Sequence, residues 1–433
     1  MEQAVFDRFY ETTGICTDTR AIRVDCLFVC IKGEQFDGNT FAANALAQGA
    51  KHVIVDNPEY LTDSDHMTYV EDSVRYIQLL ANQHRRKFKI PVIGITGSNG
   101  KTTTKELMNA VLSKKYNVLA TIGNLNNHLG VPFTLLRLTE EHEIAIIEMG
   151  ANRFKDIEEL CAIAEPTHGI ITNIGKAHLE GFGDFEGVLK TKRELYEAIE
   201  SVNGTIVFNS DDTVLFNALP HSFNASNTMN YGTSMAAHVF GTLVNLSPYV
   251  EMRWEIKNYR SEVLKTQMIG KYNFYNYLAA ITFGVLLEVE NDAISAAIQE
   301  YVPTNNRSQV EQTASNTVIM DCYNANPTSM RSALESFAMN THPDKLFILG
   351  DMKELGDDTE NEHREIISLV ESLGISGYSV GNAFGALKST QILQSFNTTA
   401  ELLVHLEEEL LSNKLILLKG SRSIGLEKAM TFL

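Results

Sequence analysis

Residues 90–112 read IPVIGITGSNGKTTTKELMNAVL: an apolar run, a glycine-rich turn closing on Gly100-Lys101-Thr102, then a helix-forming stretch. Ile90 to Ile95 has the length and composition of a short buried strand, and beyond the turn Leu107, Met108, Val111 and Leu112 recur at helical spacing on one face. The turn therefore sits at a helix N-terminus, where backbone N–H groups lack partners inside the helix and attract anions. Gly97 and Gly100 let the backbone curl round an anion, Lys101 can reach β- and γ-phosphates, and the Thr102 hydroxyl can ligate Mg2+. The strict P-loop pattern asks for glycine at position 95, where this chain has Ile95 between Gly94 and Gly97. The alternative is an ordinary glycine turn. Strand, turn, Lys-Thr pair and helix in register favour the phosphate site.

Working outward, a length of 433 residues suggests roughly two to four domains, and 44% hydrophobic with 21% charged residues fits a soluble globular chain. The apolar runs are too short to span a bilayer, and MEQAVFDRFYETTG has neither a basic nor an apolar leader segment, so a cytoplasmic enzyme is expected. Five cysteines without CxxC pairs fit reduced thiols and offer no metal framework. A net charge of -18 argues against nucleic-acid or anionic-membrane binding. A monomer acting on small molecules is the expectation.

Before the P-loop, CLFVCIKG and HVIVD read as strands around the helix FAANALAQGA, and the polar turn KGEQFDGNTF (Lys32, Gly33, Asp37, Gly38) reads as a surface loop. After it, GNLNNHLGVP places Asn126 and Asn127 in a loop that suits substrate positioning or mere turn chemistry equally. EIAIIEMG is a buried strand with Glu148 at its C-terminal end, where a Mg2+ ligand is expected beside a P-loop strand; the alternative is a solvated carboxylate. NIGKAHLEGFG carries His178, and the helix FEGVLKTKRELYEAIE carries Lys192, which the pattern alone reads as a solvated helix lysine. Residues 237–268 suggest appended antiparallel strands. Asn273 and Asn276 fall on one face of a helix, to read an adenine edge or to cap it. VPTNNRSQVEQ reads as a linker carrying Arg307, and the remainder alternates the strands NTVIMD, KLFILG, GYSV and LILL with helices, a doubly wound α/β pattern. Its polar clusters DCYNANPTSM (321–330), GDMKELG (350–356) and KGSR (419–422) lie at strand ends, where open α/β sheets bind ligands. Arg422, in the last of these, suits bidentate binding of a carboxylate.

Together these motifs resemble the Mur ligases, ATP-dependent amide-bond formers of peptidoglycan precursor assembly. The residues carrying the resemblance are TDTR (17–20), LFVCIKGEQFDGNTF (27–41), GITGSNGKTTTKE (94–106), GNLNNHLGVPFTLL (123–136), EMGA (148–151), NIGKAHLEGFG (173–183), DCYNANPTSM, LGDMKELG and KGSRS. DCYNANPTSM and KGSRS point to the member that adds D-alanyl-D-alanine to UDP-N-acetylmuramoyl-tripeptide. The resemblance implies an α/β fold in three domains: a small uridine-nucleotide-binding domain (1–87), a central P-loop domain with a mostly parallel sheet (88–308) and a doubly wound, dinucleotide-binding-like ligase domain (309–433). It implies ATP and two Mg2+ ions as cofactors. Thr96, Gly97, Ser98, Asn99, Gly100, Lys101, Thr102 and Thr103 would hold the phosphates, Asn273 and Asn276 the adenine, Arg307 a phosphate and Asp321 the ribose. Thr102 and Glu148 would bind the first ion, His178 and a carbamylated Lys192 the second. Thr17, Asp18, Lys32, Gly33, Asp37, Gly38, Asn126, Asn127, Asn326, Ser421 and Arg422 would contact substrate, with Lys101, His178, Lys192 and Arg422 serving catalysis. Two residues depart from the family pattern: Tyr272 and Asn39 stand where His is usual. A folylpolyglutamate-synthetase-like ligase would lack the uridine-binding stretch, and a nucleotide-dependent switch ATPase would turn over ATP without a UDP-peptide and a dipeptide.

Overall fold

The strand Val92–Thr96 is buried along its whole length and runs through the turn into the helix Lys101–Leu112. The apolar run and the helical spacing after it thus take the forms their periodicities predict. The computed structural model describes residues 3–220 and 225–433; of the stretches read above, only Met1 and Glu2 of the N-terminal segment lie outside them. Its sheets have four, ten and six strands, mostly parallel, the α/β fold expected. Among the described residues no helix is long and apolar enough to cross a membrane. The chain forms two compact units.

The first unit comprises residues 1–94, 117–150 and 156–167. Its four-stranded sheet is parallel throughout, in the order Ile15–Cys16, Leu27–Val29, His52–Val55, Met67–Tyr69. Cys16, Cys26 and Cys30 pack as small apolar residues with Phe28, Ala45, Val53 and Val55. Burial pushes the Cys30 thiol up to about 12, so it is an inert core residue. The helix Ser73–Arg85 opens on Asp72, whose side chain accepts from the Arg75 N–H at 2.9 Å, and buries Tyr76, Ile77, Leu80 and Ala81. Strands Val118–Ala120 and Ile144–Glu148 pair in parallel in the same unit.

The second unit comprises residues 95–116, 151–155 and 168–433. Strands His168–Ile171, Thr205–Asn209, Thr228–Gly232 and Val239–Asn245 pair in parallel in that order, and Glu251–Ile256 then joins antiparallel, as the alternating pattern of residues 237–268 predicts. The helix Lys271–Leu286 is buried on nearly every face. It comes so close to Lys101–Leu112 that a Cβ on Gly284 would stand 2.6 Å from the Val111 side chain. The six-stranded sheet runs Gln309–Gln312, Thr317–Met320, Leu415–Lys419, Lys345–Gly350, Ser376–Val380, Ile392–Phe396, parallel except for its first strand. One face packs on Met330, Leu334, Phe337, Ile366 and Val370, the other on Leu402, Leu406, Leu426 and Ala429. Helices on both faces make it doubly wound. Two details differ from the reading above. The end of the expected linker, Gln309–Gln312, is an edge strand, its polar sequence suited to a position with only one neighbour, and Ile392–Phe396 is a mostly exposed strand at the other edge.

Asn39, where the family usually has His, is wholly buried and ties the polar loop to the next strand end. Its Nδ2 donates to Asp37 Oδ1 and Asp56 Oδ1, both at 2.7 Å, and its Oδ1 accepts from the backbone N–H of Asp56 and Asn57 at 3.1 and 3.3 Å. Leaving buried groups unsatisfied costs about 1–3 kcal/mol each. Asn39→Ala is therefore expected to speed amide hydrogen exchange across residues 30–41 and 54–57 by ten-fold or more; unchanged protection would show that the loop is held by something else.

Candidate functional site

The glycine-rich turn between Thr96 and Lys101 is clamped from outside. Gly97 has φ +141°, and a Cβ there would lie 2.0 Å from Thr172 Oγ1; Gly100 has φ +80°, with Asn276 Oδ1 2.8 Å from its Cβ position. Only glycine combines those dihedrals with that proximity. Ser98 N–H donates to Asn173 O at 3.0 Å, Asn99 N–H to Asn173 Oδ1 at 3.0 Å, and Asn99 O accepts from Thr172 Oγ1 at 2.6 Å and Asn173 Nδ2 at 2.9 Å. Ser98 Oγ meanwhile donates to Gly175 O at 3.0 Å. Gly100 is the N-cap of Lys101–Leu112 and brings no capping side chain. Lys101 Nζ lies across the turn, donating to Gly97 O at 2.7 Å and Ser98 O at 3.3 Å. Thr96, Thr102 and Thr103 are buried beside it.

Asn273 and Asn276 do not cap their helix, whose N-cap is Gly270. Asn276 Nδ2 donates to Asn273 Oδ1 at 2.9 Å, Asn273 Nδ2 donates to Ile269 O at 2.6 Å, and Asn276 Oδ1 accepts from Thr104 Oγ1 at 3.1 Å. The amide pair thus fastens this helix to the P-loop helix. The neighbouring Tyr272 OH meets Ser308 Oγ at 2.8 Å, Ser308 N–H donates to Asp321 Oδ1 at 3.3 Å, and Asp321 Oδ2 pairs with the buried Lys419 ammonium at 2.8 Å.

From the six-stranded sheet, Asn326 Oδ1 caps the helix Pro327–Met339 through Ser329 N–H at 2.9 Å, leaving its Nδ2 to donate to Asn99 Oδ1 in the P-loop at 2.8 Å. Arg307 and Arg422 meet on one ring: the Arg307 guanidinium lies 3.8 Å from the centroid of Tyr323 and that of Arg422 5.2 Å, with Arg422 Nη1 donating to Tyr323 OH at 3.3 Å. Ser421 is buried and accepts the Lys353 N–H at 3.0 Å.

His178 is left-handed, with φ 52°, at the start of the short helix Leu179–Phe182. Its Nδ1 lies 2.6 Å from Glu354 Oε2. The Phe182 ring joins it to Lys192: the His178 ring meets it edge-on at 6.4 Å, and Lys192 Nζ lies 5.6 Å from its centroid. Lys192 is only 2% exposed, which overturns its reading as a solvated helix lysine. It stands on the same face as Val188, Leu195 and Ile199, so the core-facing stripe of the helix carries it inward.

In the first unit Glu148 is 1% exposed, and so is not a solvated carboxylate; its Oε1 accepts from Asn126 Nδ2 at 2.8 Å. Asn127 performs turn chemistry, its Oδ1 accepting from the Leu129 and Gly130 N–H groups at 3.2 and 2.9 Å. Asp18 closes a turn on Arg20, whose side chain and backbone hold its carboxyl down to about 2, and Thr17 precedes it. Lys32 and Asp37 bridge across the loop, Gly33 N–H donates to Phe36 O at 2.9 Å, and a Cβ on Gly38 would stand 2.5 Å from Ile31 O. Tyr323, Glu354 and Lys419 were not singled out by sequence reasoning, although all three lie in its strand-end clusters.

A strand, a clamped glycine turn and a lysine at a helix start, facing loops of a doubly wound sheet, define a nucleotide-dependent enzyme of the kind the motifs resemble. The chain matches the Mur ligase family, catalytic domain, over residues 11–98, the Mur ligase middle domain over 95–284 and the Mur ligase, glutamate ligase domain over 306–422, and it belongs to the Mur ligase family. Within that family it is similar to the UDP-N-acetylmuramoyl-tripeptide–D-alanyl-D-alanine ligase of Bacillus subtilis (strain 168), 34% identical over 97% of this chain and 93% of the relative, and to that of Escherichia coli (strain K12), 33% identical over 96% and 92%. Among solved structures it is similar to MurF from Acinetobacter baumannii, with TM-score 0.87, 31% identity, and 96% of this chain and 92% of that one covered. MurF ligase from Thermotoga maritima in complex with ADP gives TM-score 0.87 and 27% identity, covering 98% and 97%.

The clamp predicts the behaviour of Gly97→Ala. Backbone strain alone contributes about 1–3 kcal/mol, and the clash with Thr172 adds to it. The variant is expected to melt several degrees lower, and Gly97→Ala/Thr172→Ala to recover only part of that loss, since the dihedral strain stays. A melting temperature equal to wild type would contradict the geometry.

Proposed function

We propose that this chain ligates D-alanyl-D-alanine to UDP-N-acetylmuramoyl-tripeptide, with ATP converted to ADP and phosphate. The observation that carries this reading is the Asn326–Asn99 hydrogen bond, which joins the phosphate-binding turn to the DCYNANPTSM loop in a chain similar along nearly its whole length to ligases of that name. The ADP in the Thermotoga maritima complex supports the nucleotide assignment. The organisation we assign is a UDP-substrate domain over 1–87, an ATP domain over 88–308 and a ligase domain over 309–433, acting as a cytoplasmic monomer.

A carboxylate is a poor acyl donor, because its carbon is electron-rich and oxide is a bad leaving group. In the proposed reaction a carboxylate oxygen of the tripeptide attacks the γ-phosphorus and the bond to the β-phosphate oxygen breaks, releasing ADP. The dipeptide amine then attacks the acyl carbon, phosphate leaves with the C–O bond electrons, and the nitrogen loses a proton. Transfer of this kind depends on positioning and charge neutralisation. Lys101 would leave its carbonyl partners for the β- and γ-phosphates, while the N–H groups of the turn cradle them. Asn273 and Asn276 are assigned to the adenine, Asp321 to the ribose and Arg307 to a phosphate. Arg422, held on Tyr323, would grip the dipeptide carboxylate with its guanidinium fork. Thr17, Asp18, Lys32, Gly33, Asp37, Gly38, Asn126 and Asn127 are assigned to the UDP-peptide, and Asn326 and Ser421 to the acceptor side.

Mg2+ prefers oxygen donors, and Thr102 and Glu148 each offer one, a buried hydroxyl and a buried carboxylate; these two are assigned to one ion, and His178 with Lys192 to a second. When bound, the ions would neutralise charge developing on the transferred phosphoryl group. Lys192 suits that role as a carbamate: the ammonium loses one proton, the amine nitrogen bonds to the carbon of CO2, and a second proton leaves, so a +1 group becomes a -1 group with two oxygens. Burial removes the solvation that otherwise favours ammonium.

Two experiments test this reading. Mass spectrometry of the purified protein with UDP-tripeptide, dipeptide and ATP should show the pentapeptide product only when all three are present, and Lys101→Ala should abolish it. ATP hydrolysis independent of both peptides would instead favour a switch ATPase. Lys192→Ala should lose nearly all ligation while ATP affinity falls less, and acetate or formate should restore part of the activity; a fully active variant would refute the carbamate.

A further inference from the structure

The loop between the strand Lys345–Gly350 and the helix Thr359–Leu373 is built to hold one side chain outward. Asp351 accepts from the N–H groups of Ala383 and Phe384, both at 3.0 Å. The Met352 N–H donates to His363 Nε2 at 3.0 Å, and the Lys353 N–H to Ser421 Oγ at 3.0 Å. Met352 and Leu355 are buried on either side. Between them Glu354 takes φ 64°, a left-handed conformation unfavourable for a residue with a Cβ, and Gly356 follows at φ 55°. His178, at the far end of the contact, is left-handed as well. Two strained residues are thus brought to a 2.6 Å contact between a carboxylate and an imidazole nitrogen. A carboxylate oxygen accepts, so Nδ1 is the donor in this contact.

Stability does not account for this arrangement. The Glu354 side chain is 53% exposed and that of His178 26%, and ion pairs so open to water contribute about 0–1 kcal/mol. What the contact fixes is the ring itself: with Nδ1 held by the carboxylate, Nε2 lies on the opposite side of the ring, and the ring plane is set against Phe182, on whose ring Lys192 also lies. A carboxylate behind a histidine selects the tautomer and raises the basicity of the opposite nitrogen.

We propose that Glu354 is a positioning residue for the ligation reaction, its carboxylate holding His178 Nδ1 so that Nε2 faces the second metal position beside Lys192. This rests on the reading of His178 as a metal ligand. Glu354 belongs to the segment matched by the glutamate ligase domain and His178 to that matched by the middle domain, so His178 is oriented only while these two segments are in contact. The loop that brings Glu354 is also tied through Ser421 to the turn carrying Arg422. Seating of the dipeptide clamp and preparation of the metal ligand therefore occur together.

The test compares Glu354→Ala, Glu354→Gln, His178→Ala and the double variant Glu354→Ala/His178→Ala. The readouts are steady-state kinetics, thermal melting, and Mn2+ binding to the full-length protein saturated with ADP, followed by the electron paramagnetic resonance signal of free Mn2+. Loss of a group that orients a metal ligand lowers metal affinity or activity by about 10–100-fold. Glu354→Ala is expected to reduce kcat and weaken the looser class of Mn2+ sites to that extent, with the KM for ATP and the melting temperature unchanged. Glu354→Gln, which still accepts from Nδ1–H, should recover a large part of both, and Glu354→Ala should add little in a His178→Ala background. Wild-type kcat and Mn2+ binding in Glu354→Ala, a loss accompanied by a lower melting temperature, or full additivity in the double variant would each overturn the proposal while leaving His178 as a ligand. Wild-type Mn2+ binding and turnover in His178→Ala would refute the ligand reading itself, and the positioning role with it.

Discussion

The close approach of Gly97 to Thr172 is the constraint on which the site depends. A glycine turn in left-handed conformations needs partners outside itself to hold its shape, which no isolated loop supplies. Here the N–H groups of Ser98 and Asn99, the Ser98 hydroxyl and the Asn99 carbonyl are bonded to residues 172–175, and the helix that follows starts at Gly100 without a side-chain cap. The segment that clamps the turn continues into Lys176 and His178. Lys176 pairs with Glu362 at 2.6 Å and donates its N–H to Thr328 Oγ1 at 3.1 Å, so the same few residues hold the glycine turn on one side and the helices of the six-stranded sheet on the other.

This arrangement suits a reaction that passes through a hydrolysable acyl phosphate. The glycine turn, the buried Lys192 and Arg422 belong to different segments of the chain, and several of the links between those segments are single hydrogen bonds and ion pairs. Asn326 to Asn99, Lys176 to Glu362 and His178 to Glu354 are contacts of modest energy, which can form when substrates are seated and release when product leaves.

How much could be read from the sequence followed from how local each signal was. The P-loop, the parallel strands and the loops at their ends were legible because spacing along the chain determines them, and the departure at Ile95 did not matter, since the glycines that meet Thr172 and Asn276 are Gly97 and Gly100. The helical pattern taken alone read Lys192 as solvated, because a lysine on a helix usually is, whereas the family resemblance placed it in the site. Yet Val188, Lys192, Leu195 and Ile199 share one helical face, so the signal was present and outweighed by residue type. The edge strand Ile392–Phe396 gave little apolar signal because most of it stays exposed, and QVEQ looked like a linker for the same reason. The Glu354–His178 contact joins residues far apart in sequence and is visible only once the fold brings them together.

The central claim is that the tripeptide carboxylate is phosphorylated before the amide forms. The most direct measurement follows oxygen: UDP-tripeptide labelled with 18O in its terminal carboxylate is turned over with ATP and D-alanyl-D-alanine, and the released phosphate is analysed by mass spectrometry. Transfer through an acyl phosphate predicts one labelled oxygen in the phosphate for each amide formed. Unlabelled phosphate, with ligation proceeding at its normal rate, would contradict the account.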